Sequence, residues 1–137
     1  MIVEGYAALF GVADQMRDVV RAGAFATSLA RLRAPLPMLV EHEARLLAGV
    51  WIDVREDGRG LFLRGEVRDD QPGAARAKRM LARGADGLSI GFVPIVSHRT
   101  ASGRVLTEID LLEVSIVTHP MQPQARLTFA RDVVRAA

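Results

Sequence analysis

Apolar and polar positions follow a period of two along much of this chain, with two interruptions of helical period. Residues 1–10 read as a strand with Ile2, Tyr6, Ala8 and Phe10 on alternate positions, a face that Glu4 interrupts. Gly11 to Arg17 is polar and turn-like, and Asp18-Val19-Val20 predicts a short second strand. From Gly23 to Arg33 the spacing of Phe25, Leu29 and Leu32 gives the stripe of an amphipathic helix that Pro35 ends. Pro37 to Glu43 is a short apolar run closing in a polar cluster, with His42 at the end of a strand. Leu47–Val54 and Gly60–Val67 are rich in β-formers, and Asp57-Gly58 between them predicts an antiparallel hairpin. Gln71 to Gly84 has a proline suited to a first turn, a basic last turn and a closing glycine, which together predict a second helix.

The following strand carries Gly87-Leu88-Ser89-Ile90-Gly91-Phe92. Ser97 to Arg104 reads as a polar turn and Val105 to Ile109 as the return. In Leu111–Val117 the residues Leu112, Val114 and Ile116 share one face, and Glu113 and Ser115 the other. Pro120 and Pro123 break the chain, and the tail from Leu127 reads as a short strand or helix with a fraying end.

Composition adds bounds. At 137 residues, half of them apolar, the chain is long enough for one domain (1–137) with a sizeable core. No apolar run reaches the roughly 20 residues of a membrane span, and the N-terminus lacks the basic and apolar regions of a secretory signal. Without cysteine there is no disulfide framework or thiolate metal site, so the cytoplasm is the expected compartment. A net charge of +2, with arginines scattered among acids, argues against a nucleic-acid partner. Lys78 is the only lysine, a bias that fits a GC-rich genome.

Candidate chemistry centres on Ser89. A serine hydroxyl becomes a useful nucleophile when a base takes its proton. Glycines at minus two and plus two remove bulk and would let a substrate backbone approach, although such glycines also occur in ordinary turns. The motif has the form G-x-S-x-G, but Ile90–Val96 is β-rich and contains Pro94, so the helix of a nucleophile elbow is not expected after it. Ser89 is therefore placed in a strand. His42 lies between Glu41 and Glu43, which favour a protonated imidazole. These three residues are a poor metal site, because strand neighbours point to opposite faces and no second ligand group is apparent; no cofactor is expected. If the Glu113 strand pairs with the Ser89 strand, Glu113 can reach a histidine bound to Ser89. The alternative is a solvent-facing glutamate on a barrel exterior.

Taken together, Gly5–Phe10 followed by Asp14 and Asp18, Gly23-Ala24-Phe25 with Leu29, Leu36–Glu43, Gly49, Glu56–Leu61, Gly87–Phe92, and Leu111–Val117 with Pro120 resemble the prohead (capsid maturation) proteases of tailed bacteriophages, related in fold to herpesvirus assemblin. The resemblance implies an α+β, β-dominated fold, an antiparallel assemblin-like barrel, closed or nearly so, with two main helices. It implies a serine endopeptidase with Ser89 as nucleophile, His42 as general base and acid, and Glu113 as third member. His119 is the competing third member, since assemblin-like relatives use a second histidine. The implied substrates are scaffold or the scaffold-like extension of the major capsid protein, cleaved inside the immature capsid in the host cytoplasm, and a homodimer is compatible with the pattern. Leu46-Leu47-Ala48 stands where many relatives have a proline, relatives often carry a further C-terminal segment, and assemblin's arginine-bearing oxyanion loop has no evident counterpart after Glu113. Two other readings remain: a catalytically inactive assembly or scaffold-binding module of the same fold, and a small esterase using Ser89, Asp110 and His119.

Overall fold

The computed structural model describes residues 1–132. Its elements in order are β1 (Ile2–Leu9), β2 (Asp18–Val20), α1 (Ala26–Ala30), β3 (Leu36–Val40), β4 (Glu43–Glu56), β5 (Gly60–Val67), α2 (Ala74–Ala82), β6 (Gly87–Thr100), β7 (Gly103–Val117) and β8 (Leu127–Arg131). The strands form one β-dominated sheet in the order β2-β7-β3-β4-β5-β1-β8, and β6 pairs with β7 outside that path. Near the far end of the sheet Gly87 bridges to Arg126, and Leu88 N–H donates to Ala125 O at 2.9 Å while Leu127 N–H donates to Asp86 O at 2.8 Å. These bonds tie the start of β8 to the start of β6, and the sheet curls into a half-barrel.

One feature of the expected barrel is corrected: it is not wholly antiparallel. β7 takes β6 antiparallel along its length, but β2 and β3 pair with it parallel. The parallel pairing of β3 puts Val40 beside Ile116, and hence brings the residues after Val40 to the end of β7 where Glu113 and Ser115 lie.

The core explains which faces turn inward. Trp51, the single tryptophan, is 1% exposed, and its indole N–H donates to Val114 O at 3.1 Å, so its one polar atom is satisfied. Gly65 on the neighbouring strand leaves it room, since a Cβ there would lie 2.6 Å from Trp51 Cε3. Phe25, Leu61, Leu63, Leu88, Leu106 and Ile116 complete the buried centre.

Several sequence expectations shift. In β1 the inward residues are Val3, Gly5 and Ala7, not Ile2 and Tyr6, and a register shift between Tyr6 and Ala8 then turns Ala8 inward. Tyr6 stays outside because its hydroxyl finds Asp57 there and its ring meets Phe62 edge-on at 5.6 Å. The helix expected over Gly23–Arg33 shrinks to α1, because the chain turns at Gly23 (φ 90°) and Phe25 only begins the helix. The helix expected over Gln71–Gly84 is α2, stopped by left-handed Gly84 (φ 85°). Asp57 makes the expected hairpin turn, accepting from Arg59 N at 2.7 Å and Gly60 N at 3.1 Å.

The segment Ser97–Arg104, expected as a turn, is mostly strand: β6 and β7 pair from Ser97↔Leu106 through Thr100↔Gly103, leaving Ala101-Ser102 as the link. Pairing there is carried by backbone bonds on a solvated arm, so side-chain polarity gives no sign of it. In β7 the expected face of Leu112, Val114 and Ile116 is broken. Gly91 pairs with Glu113 but Phe92 with Leu111, so Leu112 is an extra residue and points out, 51% exposed. The tail from Leu127 forms a strand; the expected frayed end covers 133–137, outside the described residues.

Candidate active site

Two structural devices bring the site together. The first is the link between β3 and β4. Val40 pairs with Glu43, so Glu41 and His42 form a two-residue connection, and both are left-handed, with φ of 53° and 60°. Positive φ at both central residues is the signature of a type I′ hairpin turn, in which Asn-Gly is the usual choice. Placing two residues with side chains there costs about 1–2 kcal/mol each. The turn is held to β7 and to the residue just after it by three hydrogen bonds: Glu41 N–H to Ile116 O at 3.0 Å, His42 N–H to Ser115 Oγ at 3.0 Å, and Thr118 N–H to Glu41 Oε1 at 2.6 Å. The expectation that His42 ends a strand is thus corrected to a strained, well-anchored turn.

The second device is the antiparallel register of β6 and β7. Ser89 lies opposite Ser115 and Gly91 opposite Glu113, so all four share one sheet face. The bulge at Leu112 immediately precedes Glu113, a position at which an extra residue re-aims the side chains beside it. A Cβ at position 91 would lie 2.8 Å from Glu113 Cδ, so the second glycine of the motif is the floor on which the carboxylate rests. The first glycine clears space for Val117 O and the Pro120 ring, at 2.7 and 2.8 Å from a Cβ at position 87. Close packing therefore requires both glycines, Gly91 beneath the Glu113 carboxylate and Gly87 against the chain that follows β7.

With both devices in place, His42 Nε2 is 3.1 Å from Ser89 Oγ, and His42 Nδ1 is hydrogen-bonded to Glu113 Oε1. An ionised carboxylate only accepts, so the proton belongs on Nδ1 and the Nε2 lone pair faces the serine hydroxyl. Glu113 Oε2 accepts from Ser115 Oγ at 2.7 Å. Ser89 is 4% exposed, while the His42 side chain is 42% and that of Glu113 13% exposed. The hydrogen bond that His42 donates to Glu113 raises the His42 pKa above its ordinary value of 6.5; partial burial opposes this, and the charges of Glu113 and Glu41 add to it. The arrangement can activate a serine hydroxyl, and among the described residues no group of His, Asp and Glu is placed to hold a metal ion.

Of the other candidates, His119 is exposed in the bend after β7. Asp110 is exposed and meets Ser28 Oγ at 3.4 Å, so the grouping of Ser89 with Asp110 and His119 is not assembled. Sequence reasoning passed over Glu41 as a clamp and Ser115 as a partner of Glu113. The second was visible in part, as a serine two residues from Glu113 on the same strand face.

A cavity of about 620 Å³ opens beside Ser89. Its walls include Ile90 and Phe92 of β6, Ala8 of β1, and Asp18 with Arg104; the Asp18 carboxylate accepts from Arg104 Nε at 3.0 Å and Nη2 at 2.8 Å. Among the described residues β6 has β7 as its only strand partner, apart from the bridge at Gly87. Its second edge therefore runs from Ser89 onward along the cavity, unpaired.

The curled, β-dominated sheet with its two helices is the fold of the assemblin-type viral proteases. The Kaposi's sarcoma-associated herpesvirus protease, in complex with a hexapeptide phosphonate inhibitor, superimposes with a TM-score of 0.68 at 14% identity, over 96% of this chain and 65% of that one. The capsid assembly protease of bacteriophage T4 gives 0.69 at 15% identity, over 85% and 80%. Residues 1–136 match the caudovirus prohead serine proteases, and the chain belongs to that family. It is 33% identical over 137 residues to the prohead protease of Enterobacteria phage HK97, covering 96% of this chain and 61% of that relative, so it spans about three-fifths of the relative's length.

Proposed function

We propose that this chain is the single protease domain of a serine endopeptidase of capsid maturation, with Ser89 as nucleophile, His42 as general base and acid, and Glu113 as the orienting carboxylate. The observation that carries the reading is the series Ser89 Oγ, His42 Nε2, His42 Nδ1 and Glu113 Oε1 in one hydrogen-bonded line, in a chain of the prohead protease family.

In the first half-reaction His42 Nε2 takes the Ser89 proton as Oγ bonds to the scissile carbonyl carbon, and the carbonyl π electrons move to oxygen. The intermediate collapses, the C–N bond breaks, and the leaving amine takes the proton from Nε2. Water then attacks the acyl-enzyme with His42 again as base, which releases the new carboxyl terminus and returns the proton to Ser89. Throughout, Glu113 accepts the Nδ1 hydrogen bond and offsets the charge of the imidazolium.

The substrate would be an extended segment of scaffold or of a scaffold-like extension of the major capsid protein, cleaved within the immature capsid. An extended peptide can add to the free edge of β6, where main-chain bonds set its register and the cavity takes a side chain. The test is co-expression of the chain, or its Ser89→Ala form, with its capsid protein, followed by mass spectrometry. Specific truncation of the capsid protein or scaffold by the parent alone is expected. Identical masses with both forms, together with no labelling of Ser89 by a fluorophosphonate, would return the chain to the role of an inactive assembly module.

A further inference from the structure

We propose that Ser115 is a positioning residue of this site, acting on both His42 and Glu113 through a single hydroxyl; the inference rests on the catalytic reading of those residues given above. Ser115 is 0% exposed, on the same face of β7 as Glu113 and directly opposite Ser89. A hydroxyl has one proton to give and lone pairs to accept with. The proton goes to Glu113 Oε2, 2.7 Å away, and the oxygen accepts His42 N–H at 3.0 Å. Both directions are forced, since an ionised carboxylate has no proton to offer and a backbone N–H cannot accept.

The two bonds do different things. A carboxylate held through one oxygen turns freely about its last torsion, which is broad and has no sharp preference. With Oε1 on the imidazole and Oε2 on Ser115, the plane of the Glu113 carboxylate is fixed. The second bond satisfies the N–H of a residue held in the left-handed region (φ 60°), and so pins the backbone from which the imidazole projects. Packing alone does not call for a hydroxyl at a wholly buried strand position, where an apolar side chain would avoid the desolvation of a polar group. Both of its hydrogen-bonding capacities are spent inside the site.

The test compares Ser115→Ala and the near-isosteric Ser115→Cys with the parent, alone and in a Glu113→Gln background, after thermal unfolding has shown which variants are folded. The readouts are peptide turnover, split into kcat and KM, and the rate at which a fluorophosphonate modifies Ser89 as a function of pH. Loss of the hydroxyl should lower kcat by about 10- to 100-fold with KM little changed, the scale expected of a small misplacement of reacting groups. The midpoint of the pH profile should fall toward that of an ordinary imidazole as the hold of Glu113 on His42 loosens; the charge of Glu41, which also acts on the ring, is unchanged. In the Glu113→Gln background the same substitution should cost much less, because part of its effect passes through the carboxylate.

Equal factors in the two backgrounds, or folded variants with the parent's rate and midpoint, would overturn the inference. If Ser115→Ala does not fold, Ser115→Cys carries the comparison. A parent protein that neither turns over peptide nor reacts at Ser89 would instead overturn the catalytic reading and this inference with it, whereas a reactive parent matched by its Ser115 variants would overturn this inference alone.

Discussion

The carboxylate of Glu113 lies over the backbone of Gly91, directly across the β6–β7 ladder, in the space a side chain at position 91 would occupy. A Cβ there would meet Cδ at 2.8 Å, closer than such atoms approach, and the carboxylate, already fixed at both oxygens, has no easy way to yield. We expect Gly91→Ala to leave Ser89 and His42 chemically intact yet to reduce kcat/KM by about 10²-fold, the scale of a misplaced orienting group. Peptide turnover by a variant shown to be folded checks this; wild-type turnover would mean that Glu113 can move without consequence.

Ser89→Ala and His42→Ala should each abolish processing without unfolding the chain. The two act as a unit, so removing either costs nearly as much as removing both. Ser89 is buried but small, and the His42 ring is partly exposed, so neither substitution opens the core. Cleavage within about tenfold of the parent in either variant would exclude the assignment.

The third member separates from its competitor in one experiment. Glu113→Gln is expected to lose between about 10- and 10⁴-fold, because an amide can present the wrong group to Nδ1 and trap the wrong tautomer. His119→Ala should change turnover little, since both His42 ring nitrogens are already occupied by Glu113 and Ser89. A larger loss at His119 than at Glu113, in folded proteins, would reverse the choice.

Much of this was legible in the sequence, and the gaps have physical causes. Period-two alternation and the Asp57-Gly58 turn fall where strands and hairpin form, because a half-buried strand has to alternate. The grouping of His42, Ser89 and Glu113 was implied by the family resemblance that the order and spacing of the motifs carry, not by periodicity. The bulge at Leu112 was invisible, since an extra residue in one strand is defined only by its partner across the ladder. The turn at Glu41-His42 was hidden for a related reason. It carries neither Gly nor Asn, and its left-handed backbone is maintained by long-range bonds to Ile116, Ser115 and Thr118. The long β6–β7 arm looked like loop because its outer half has no core to select apolar residues.

The raised pKa of His42 has a signed consequence for rate and for stability. General-base catalysis needs the neutral imidazole, so kcat/KM should rise with pH through a midpoint above the ordinary 6.5. Glu113→Gln should move that midpoint down, because the largest cause of the shift is the Glu113 hydrogen bond. For stability the order is opposite: a pKa raised on folding contributes stability fully present below the unfolded value and lost as pH rises through the folded one. The protein should therefore be slightly more stable where it is less active. Coincident midpoints for the parent and Glu113→Gln in the pH dependence of Ser89 labelling would break this link.

Backbone strain at His42 makes the last prediction, which separates the cost of the turn from the loss of the side chain. His42→Ala and His42→Gly both remove the imidazole, its bond to Glu113 and its bond to Ser89, so both should be inactive. They differ by one Cβ at a position with φ of 60°. A left-handed residue with a Cβ is disfavoured by about 1–2 kcal/mol, partly offset by the greater freedom of glycine in the unfolded chain. His42→Gly should accordingly be the more stable of the two by about 1 kcal/mol, the reverse of the usual order of these residues in strands and helices. Urea unfolding of the two inactive variants at one pH measures the difference directly. Equal stability, or a more stable alanine variant, would mean that the turn relaxes out of the left-handed region once the imidazole no longer holds it between Ser89 and Glu113.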